Sequence, residues 1–432
     1  MSEKFFEIQT DKMVYGTKLM YLNTALTSWT GNLSSLTNGE WMFRNCENLT
    51  SFNATLPSLT DGERMFQRCY KLATFSSELP SLTDGNRMFE YCALTSFNSD
   101  LSSLSNGEYM FNDCTNLTSF TSDLPNLTNG SYMFRLCSLN APSVQNIALT
   151  INKITNNARF DIGVDLTIQD DAQVKRDLGL IKHKGWNLWI NGSNLSSDYT
   201  LPKYAGCTTT AQVKAKDSNY KTNDIVNGAW VEYLPDLTDG SNLFVGSDGP
   251  NPISQTLKTF TSYFPALTNG SWMLADCSNL TTFSCGDLNY LTNGDSMFYR
   301  CTKITTFNSS LKSLTYGKYM FSGCLELTTF NSDLSSLTNG YSMFYGCKLN
   351  TNSLKNIADT IKNVTSLTNG ADKHAAIWKN IDIGLGNSTP TATEKTYLTQ
   401  IKNKGWTVYV NGSIYTPSST ITPTPGLPDI NN

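Results

Sequence analysis

Charge is scarce in this sequence: Asp, Glu, Lys and Arg make up 16% of 432 residues, well below the usual quarter. The net charge of −4 and a pI near 5.4 leave no basic footprint, which argues against nucleic acid as a partner. No run approaches the ~18 apolar residues of a membrane span, so membrane insertion is not expected. The first residues, MSEKFFEIQTDKMVYG, mix charges and lack the apolar core of an export signal. That points to synthesis in a cytoplasm without a cleaved signal. There are two histidines, His183 and His374, and no Cys-x-x-Cys pair. Gly-x-Ser-x-Gly, Walker, Rossmann and His-Glu-x-x-His patterns are missing too. The reading is therefore of a protein that is not an enzyme and uses neither metal nor cofactor.

What fills the sequence is repetition, which is read before local structure. Glycines recur at Gly16, Gly39, Gly62, Gly85, Gly107 and Gly130, and again at Gly240, Gly270, Gly294, Gly317 and Gly340. Around them runs the pattern Leu-x-x-Leu-Thr-Asn/Asp-Gly-x-x-Met-Phe-x-x-Cys-x-x-Leu-Thr-Ser/Thr-Phe. Asn/Asp-Gly suggests a tight turn with a positive backbone angle at glycine. Met42, Phe43 and Cys46 stand at i, i+1 and i+4, so one short helical turn could point all three inward. The run Leu49–Phe52 predicts a short strand, and stacked turns would form a parallel sheet. One such repeat cannot offset its own backbone entropy and must be buried between neighbours. The first turn carries Asn23 where later turns carry Cys, as suits a terminal turn.

Both arrays end alike. SLNAPSVQNIALTI follows Cys137 and KLNTNSLKNIADTI follows Cys347; Asp161-Ile162-Gly163 matches Asp382-Ile383-Gly384. Lys184-Gly185-Trp186 matches Lys404-Gly405-Trp406, with Gly185 and Gly405 read as helix C-caps. The expected fold is a repeat solenoid, leucine-rich-repeat-like, with short parallel β-strands in two arrays, each closed by a small helix–helix–strand cap. The expected divisions are array 1 at 1–137, cap 1 at 138–197 and a connector at 198–236. Array 2 follows at 237–347, cap 2 at 348–412 and a Pro/Thr-rich tail at 413–432.

Nine of eleven cysteines share one slot of the repeat, which reads as a buried, reduced ladder rather than a metal or disulfide set. Asp161 and Asp382 suggest helix or turn capping, with a ligand role as the other reading. Where the repeats differ, Trp, Tyr and Arg gather near Met-Phe. The candidate binding ridge is Trp41, Arg44, Arg64, Arg68, Arg87, Tyr109, Tyr132, Trp272, Tyr299 and Tyr319. On a helical turn these would share one outward face, and their types dominate interface hot spots. Packing over the stack is the other reading. The strand columns Thr50/Ser51, Thr118/Ser119, Thr281/Thr282 and Thr305/Thr306 are explained by strand propensity, with a glycan-facing hydroxyl array as the alternative.

The Met-Phe-x-x-Cys-x-x-Leu-Thr-x-Phe core resembles the BspA-like leucine-rich repeats of bacterial surface proteins, some protists and tailed phages. That resemblance implies a non-enzymatic binding or structural role. Combined with the missing export signal, it suggests a phage virion appendage, a fibre or a tail or head decoration. Its partners would be a host-surface glycan or protein, or other virion proteins, and homo-oligomers fit this picture. A BspA-type cell-surface adhesin and an intracellular interaction scaffold are the alternatives.

Overall fold

The computed structural model describes residues 10–194, 201–245, 256–285, 288–371, 373–386 and 389–417. The expected tail lies, from residue 418 on, outside the described residues. The chain divides into two units, Met1–Pro202 and Lys203–Asn432.

In the first unit each repeat makes one coil with two hydrogen-bonded ladders. One is the parallel strand ladder: β1 (Ser28–Asn32), β2 (Ser51–Thr55) and β3 (Thr74–Phe75) pair in one sheet, β4 (Ser96–Phe97) and β5 (Ser119–Phe120) in another. The other runs through the Asn/Asp position, where parallel bridges link Tyr15, Asn38, Asp61, Asp84, Asn106 and Asn129. This second ladder explains two fixed residues. Thr60 and Thr83 donate their hydroxyls to the carbonyls of Thr37 and Thr60, one coil earlier, at 3.0 Å. Asn38 and Asp61 each accept the N–H two residues on at 3.0 Å, so the side chain closes the turn.

The Met-Phe-x-x-Cys segment is not helical, contrary to the spacing argument. Trp41 and Asn45 hold φ of 59° and 61°, and the same two slots are left-handed in most other coils. N–H groups alternate: Met42, Arg44 and Cys46 bond three residues back, while Trp41, Phe43 and Asn45 bond to Glu63, Met65 and Gln67 of the next coil at 2.8–2.9 Å. An α-helix would consume those donors internally; here half of them join the coils. Met42, Phe43 and Cys46 still point inward and are fully buried. Nor do the repeat glycines have positive φ. A Cβ at Gly39 would sit 2.7 Å from Sδ of Met65, so the slot is small because the next coil's methionine rests on it.

Phe43, Phe66 and Phe89 stack at 5.3 and 5.4 Å between centroids, interleaved edge-on with Phe52 and Phe75. The cysteine ladder is buried and free of disulfides. Its thiols are also donors: Sγ of Cys69, Cys92 and Cys114 lies 3.1–3.2 Å from the carbonyls of Phe43, Phe66 and Phe89. Burial pushes the thiols up, Cys46 to about 11 and Cys114 to about 12.

The array ends in β6 (Gly130–Leu139), followed by α1 (Ala141–Thr150), β7 (Arg159–Val164), α2 (Ala172–His183), β8 (Asn187–Ile190) and β9 (Ser193–Asn194). Strands β6 to β9 form one sheet, so a strand intervenes between the two helices of the expected cap. The Lys-Gly-Trp triplet locks this cap. Lys184 Nζ donates to the carbonyls of Leu149 and Ile151 at 2.9 and 2.8 Å, satisfying the end of α1, and Trp186 Nε1 donates to Asn152 at 2.8 Å. Gly185 between them has φ of 95°, as a helix C-cap requires.

The second unit repeats the plan with a different start. Segment 198–236 is not a bare connector. From Lys203 it belongs to this unit, with α3 (Thr210–Lys216), α4 (Tyr220–Asn223), β10 (Ile225–Val226) and β11 (Ala229–Trp230). Thr209 bridges Asp239 in the Asn/Asp ladder and Trp230 pairs with Phe260, so the segment is a diverged first coil. Tyr204, Val213, Tyr220 and Trp230 are buried in the core. The regular coils carry β12 (Thr259–Thr261), β13 (Thr282–Ser284), β14 (Thr306–Phe307) and β15 (Thr329–Phe330). The cap follows as β16 (Asn339–Leu349), α5 (Thr351–Thr360), β17 (Trp378–Leu385), α6 (Ala392–Asn403), β18 (Thr407–Val410) and β19 (Ser413–Ile414). Lys404 and Trp406 repeat the lock on Ala358, Asp359 and Lys362.

Candidate functional site

In the first unit the expected ridge is a single stacked column, and most of it faces its neighbours. Lys18 lies 4.8 Å above Trp41, with Arg44 at 4.1 Å and Arg64 at 5.4 Å from the same ring. Arg87 covers Tyr109 at 4.0 Å, Tyr109 stacks on Tyr132 at 4.4 Å, and Arg159 of the cap closes the row at 3.9 Å from Tyr132. Trp41, Arg44, Arg64, Arg87, Tyr109 and Tyr132 are half-buried; Arg68 alone among these ridge residues is exposed. Behind them lies a polar cluster: Glu90 accepts from Gln67 at 2.5 Å, Asn112 at 3.1 Å and Arg87 at 3.2 Å, with all but Arg87 buried. A buried carboxylate needs such partners, and this one has three.

The corresponding residues of the second unit do not form an outward ridge. Tyr299 and Tyr319 are buried, 1% and 2% exposed, and pack in a small cluster with Val245 and Ala275. The half-buried Trp272 rests against Tyr299 at 5.9 Å. The reason is local: serine at Ser296 and Ser342 and alanine at Ala275 leave room for aromatic rings to fold back onto the coil. Residues 365–371 and 373–377, in a segment longer here than in the first cap, add to the cover. Asn339 Nδ2 donates to the carbonyls of Lys373 and Ala375, and Lys318 Nζ sits 3.0 Å from His374 Nδ1.

The more open surface is the strand face. Asn53, Thr55, Ser76, Glu78, Asn98, Asp100 and Thr121 alternate with buried Phe and small residues and are exposed. A groove of about 490 Å³ lies between Thr30–Gly31, Asn53–Pro57 and Ser76–Glu78. A second, of about 480 Å³, lies between Thr281–Cys285 and Thr305–Ser309. Not all the hydroxyls are available: Thr50 and Thr281 donate to Thr27 and Lys258 one coil earlier at 2.9 and 3.0 Å. Sequence reasoning gave this face less weight than the ridge, although the alternation of polar and apolar residues along Phe52–Leu56 was its signal.

Asp161 and Asp382 are buried on β7 and β17 and cap neither helix; Asn140, Asp171, Asn350 and Thr391 do that. Asp161 instead accepts the backbone N–H of Tyr132 at 2.8 Å, ending the turn ladder, and is paired with Arg159 at 2.6 Å. Asn380 stands where the second unit would need that arginine. Burial pushes Asp382 up to about 7, opposed only by the Gly412 N–H at 3.3 Å. The folded form thus holds a proton that the unfolded form releases near 3.8. Stability from this group is complete below that value and falls as pH climbs towards 7, by about 1.4 kcal/mol per unit. Asp382→Asn is expected to raise the melting temperature of the second unit at pH 8 and to change it little at pH 4. A gain confined to pH 4 would contradict this assignment.

Among the described residues no group of three or more His, Cys, Asp or Glu converges as a metal site, and no helix is long and apolar enough to cross a membrane. The family model described as BspA type leucine rich repeat region matches, in six copies, residues 15–81, 37–161 and 255–367. No curated protein matches the chain. Among solved structures it is similar to a leucine-rich repeat protein from Bacteroides ovatus, at 15% identity and TM-score 0.24, covering 92% of this chain and 87% of that one. It is also similar to a leucine rich cell surface protein from Faecalibacterium prausnitzii, at 14% identity and TM-score 0.22, covering 96% and 81%. A leucine-rich repeat protein from Eubacterium ventriosum matches at 16% identity and TM-score 0.20, covering 73% and 75%.

Proposed function

Since this chain belongs to the BspA-type leucine-rich repeat family, we propose that it is a non-enzymatic binding protein whose strand faces contact polymers or proteins at a cell or virion surface. The observation that carries this reading is the pair of open, hydroxyl- and amide-lined grooves, one on the strand face of each unit. Their polar groups lie on strands fixed by both ladders, so binding orders little chain and loses little entropy. The lining is hydroxyl and amide groups with one carboxylate, Glu78, which suits glycans or extended peptide backbone better than it suits anionic ligands. Repeats of this family occur on bacterial surfaces and in tailed phages, and a virion appendage and a cell-surface adhesin would use the same faces.

The test is binding of the labelled full chain to a panel of purified surface polysaccharides and matrix proteins. Alongside it, purified virions and protease-shaved cells of the source would be compared by mass spectrometry. Saturable binding to a panel member supports the reading, and the peptide source separates the two settings. No binding across the panel, with the protein found in neither fraction, would overturn it.

A further inference from the structure

Arginine is distributed unevenly in this chain. Of eight arginines, Arg44, Arg64, Arg68, Arg87, Arg135 and Arg159 all lie on the turn face of the first unit or on the cap strand that continues it. Three of these six are neutralised: Arg64 by Glu63 at 2.5 Å, Arg87 by Glu90 at 3.2 Å and Arg159 by Asp161 at 2.6 Å. Arg44 and Arg68, on adjacent coils, make no ion pair or side-chain hydrogen bond among the described residues.

Arg44 is the unusual member. It is half-buried, its Nε is closed off from solvent without a partner, and the Nε1 of Trp41 beneath it is in the same condition. Burial lowers its pKa first, and the like charges of Arg64 and Arg68 lower it further, against Tyr21 and Glu90. Arg44 and Arg64 meet over the Trp41 ring, at 4.1 and 5.4 Å from its centroid, and Arg68 is near enough for its charge to act on Arg44; Glu63, held by Arg64, and Glu90 are the carboxylates in reach. The backbone beneath is fixed. Arg64 and Arg68 are left-handed, with φ of 53° and 61°, and their N–H groups are tied to Asn86 and Glu90 of the next coil at 2.8 Å. With Arg64 held by Glu63 and Glu90 engaged by Arg87, Gln67 and Asn112, Arg44 and Arg68 are left as the cations that an entering anion would neutralise.

The same geometry argues against a neutral sugar at this place. Trp41 is overlain by Arg44, Lys18 and Arg64, which occupy the ring surface that a pyranose would need. What the cluster offers outward is N–H donors, and guanidinium groups match tetrahedral oxyanions in charge and fork geometry. We propose that Arg44, Arg64 and Arg68 form a binding site for a sulfate or phosphate ester carried on a surface polymer, separate from the strand-face grooves. The chain's net charge is −4, so attraction of a polyanion to the molecule as a whole is not expected and binding would be local.

The test uses the full chain and three probes: dextran sulfate, polyphosphate and unmodified dextran, with affinity measured by calorimetry at two salt concentrations. Dextran sulfate or polyphosphate is expected to bind with an affinity that falls as salt rises, whichever binds more tightly indicating a sulfate or a phosphate oxyanion, and dextran is not. Arg68→Gln, at an exposed position, is expected to keep the parent melting temperature and weaken binding about tenfold, the scale of one charge-assisted contact. Arg64→Gln should act in the same direction. Arg300→Gln, in the second unit beside Asp276, is expected to bind like the parent. No binding of either polyanion, equal binding by Arg68→Gln, or equal weakening by Arg300→Gln would overturn the site.

Discussion

Gly163→Ala is expected to strip the first cap from its array and to cost at least ~4 kcal/mol. Gly163 lies on β7 where that strand crosses the irregular part of β6, and the pairing slips in register between Phe134 and Leu139. A Cβ there would lie 2.6 Å from the amide nitrogen of Cys137 and 2.8 Å from the carbonyl oxygen of Phe134, with the Cys137 carbonyl closer still. These are backbone atoms in a buried sheet, so no rotamer change relieves the overlap. The strand must lift, which exposes Phe134 and Phe160 and frees Asp161 from the Tyr132 N–H. Gly384 meets the equivalent atoms of Phe344 and Cys347 and should behave alike in the second unit. Hydrogen exchange is the readout: amides of Gly130–Leu139 are expected to lose protection in Gly163→Ala. Retained protection with an unchanged melting temperature would show that the cap is not held as described.

The second large effect is expected from Phe66→Ala. Phe66 lies between Phe43 and Phe89 at 5.3 and 5.4 Å and meets Phe52 and Phe75 edge-on at 4.7 and 5.6 Å. Removing a ring from such a site leaves a cavity, and large-to-small changes of this kind cost about 3–5 kcal/mol. In a linear stack each coil is stabilised by its two neighbours, so the loss reaches Phe43 and Phe89 as well. Thermal unfolding of the variant is expected to be broader than that of the parent as well as lower in midpoint. A shift of under about 1 kcal/mol would mean that the coils are stable singly.

The repeat, its inward residues and the duplicated caps were legible because they recur at fixed spacing. The backbone of the Met-Phe segment was not, since i, i+1, i+4 is satisfied equally by a helical turn and by linked left-handed turns. The discriminating signal was the residue before each Cys: Asn45, Asp113, Asp276, Gly323 and Gly346 are types that tolerate positive φ. Arg68, Tyr91 and Leu136 in the same slot hid it. The diverged first coil of the second unit was unreadable for a different reason. It places Thr210 in the glycine slot and Trp230 in the phenylalanine slot, keeping the ladder positions while losing the motif. On the ridge, residue types were visible but their partners were not. Stacking between Arg87 and Tyr109 or Arg159 and Tyr132 depends on which coils are adjacent and where the cap returns.

The proposed reading is a division of labour: the turn columns hold each stack together, with the arginine cluster as a local anion site, and the strand faces bind the surface ligand. It is tested most directly by measuring, on one set of variants, both the melting temperature and binding to the best ligand from the surface panel. Ser76→Arg and Thr306→Arg place a bulky charge in the two grooves at exposed positions. They are expected to melt like the parent and to bind at least about tenfold more weakly, a change of 1.4 kcal/mol or more. Trp41→Ala and Tyr109→Ala are expected to lower the melting temperature, because each removes a stacked partner, while leaving that binding in place. Groove variants that bind like the parent, beside ridge variants that melt like it and bind weakly, would contradict the claim.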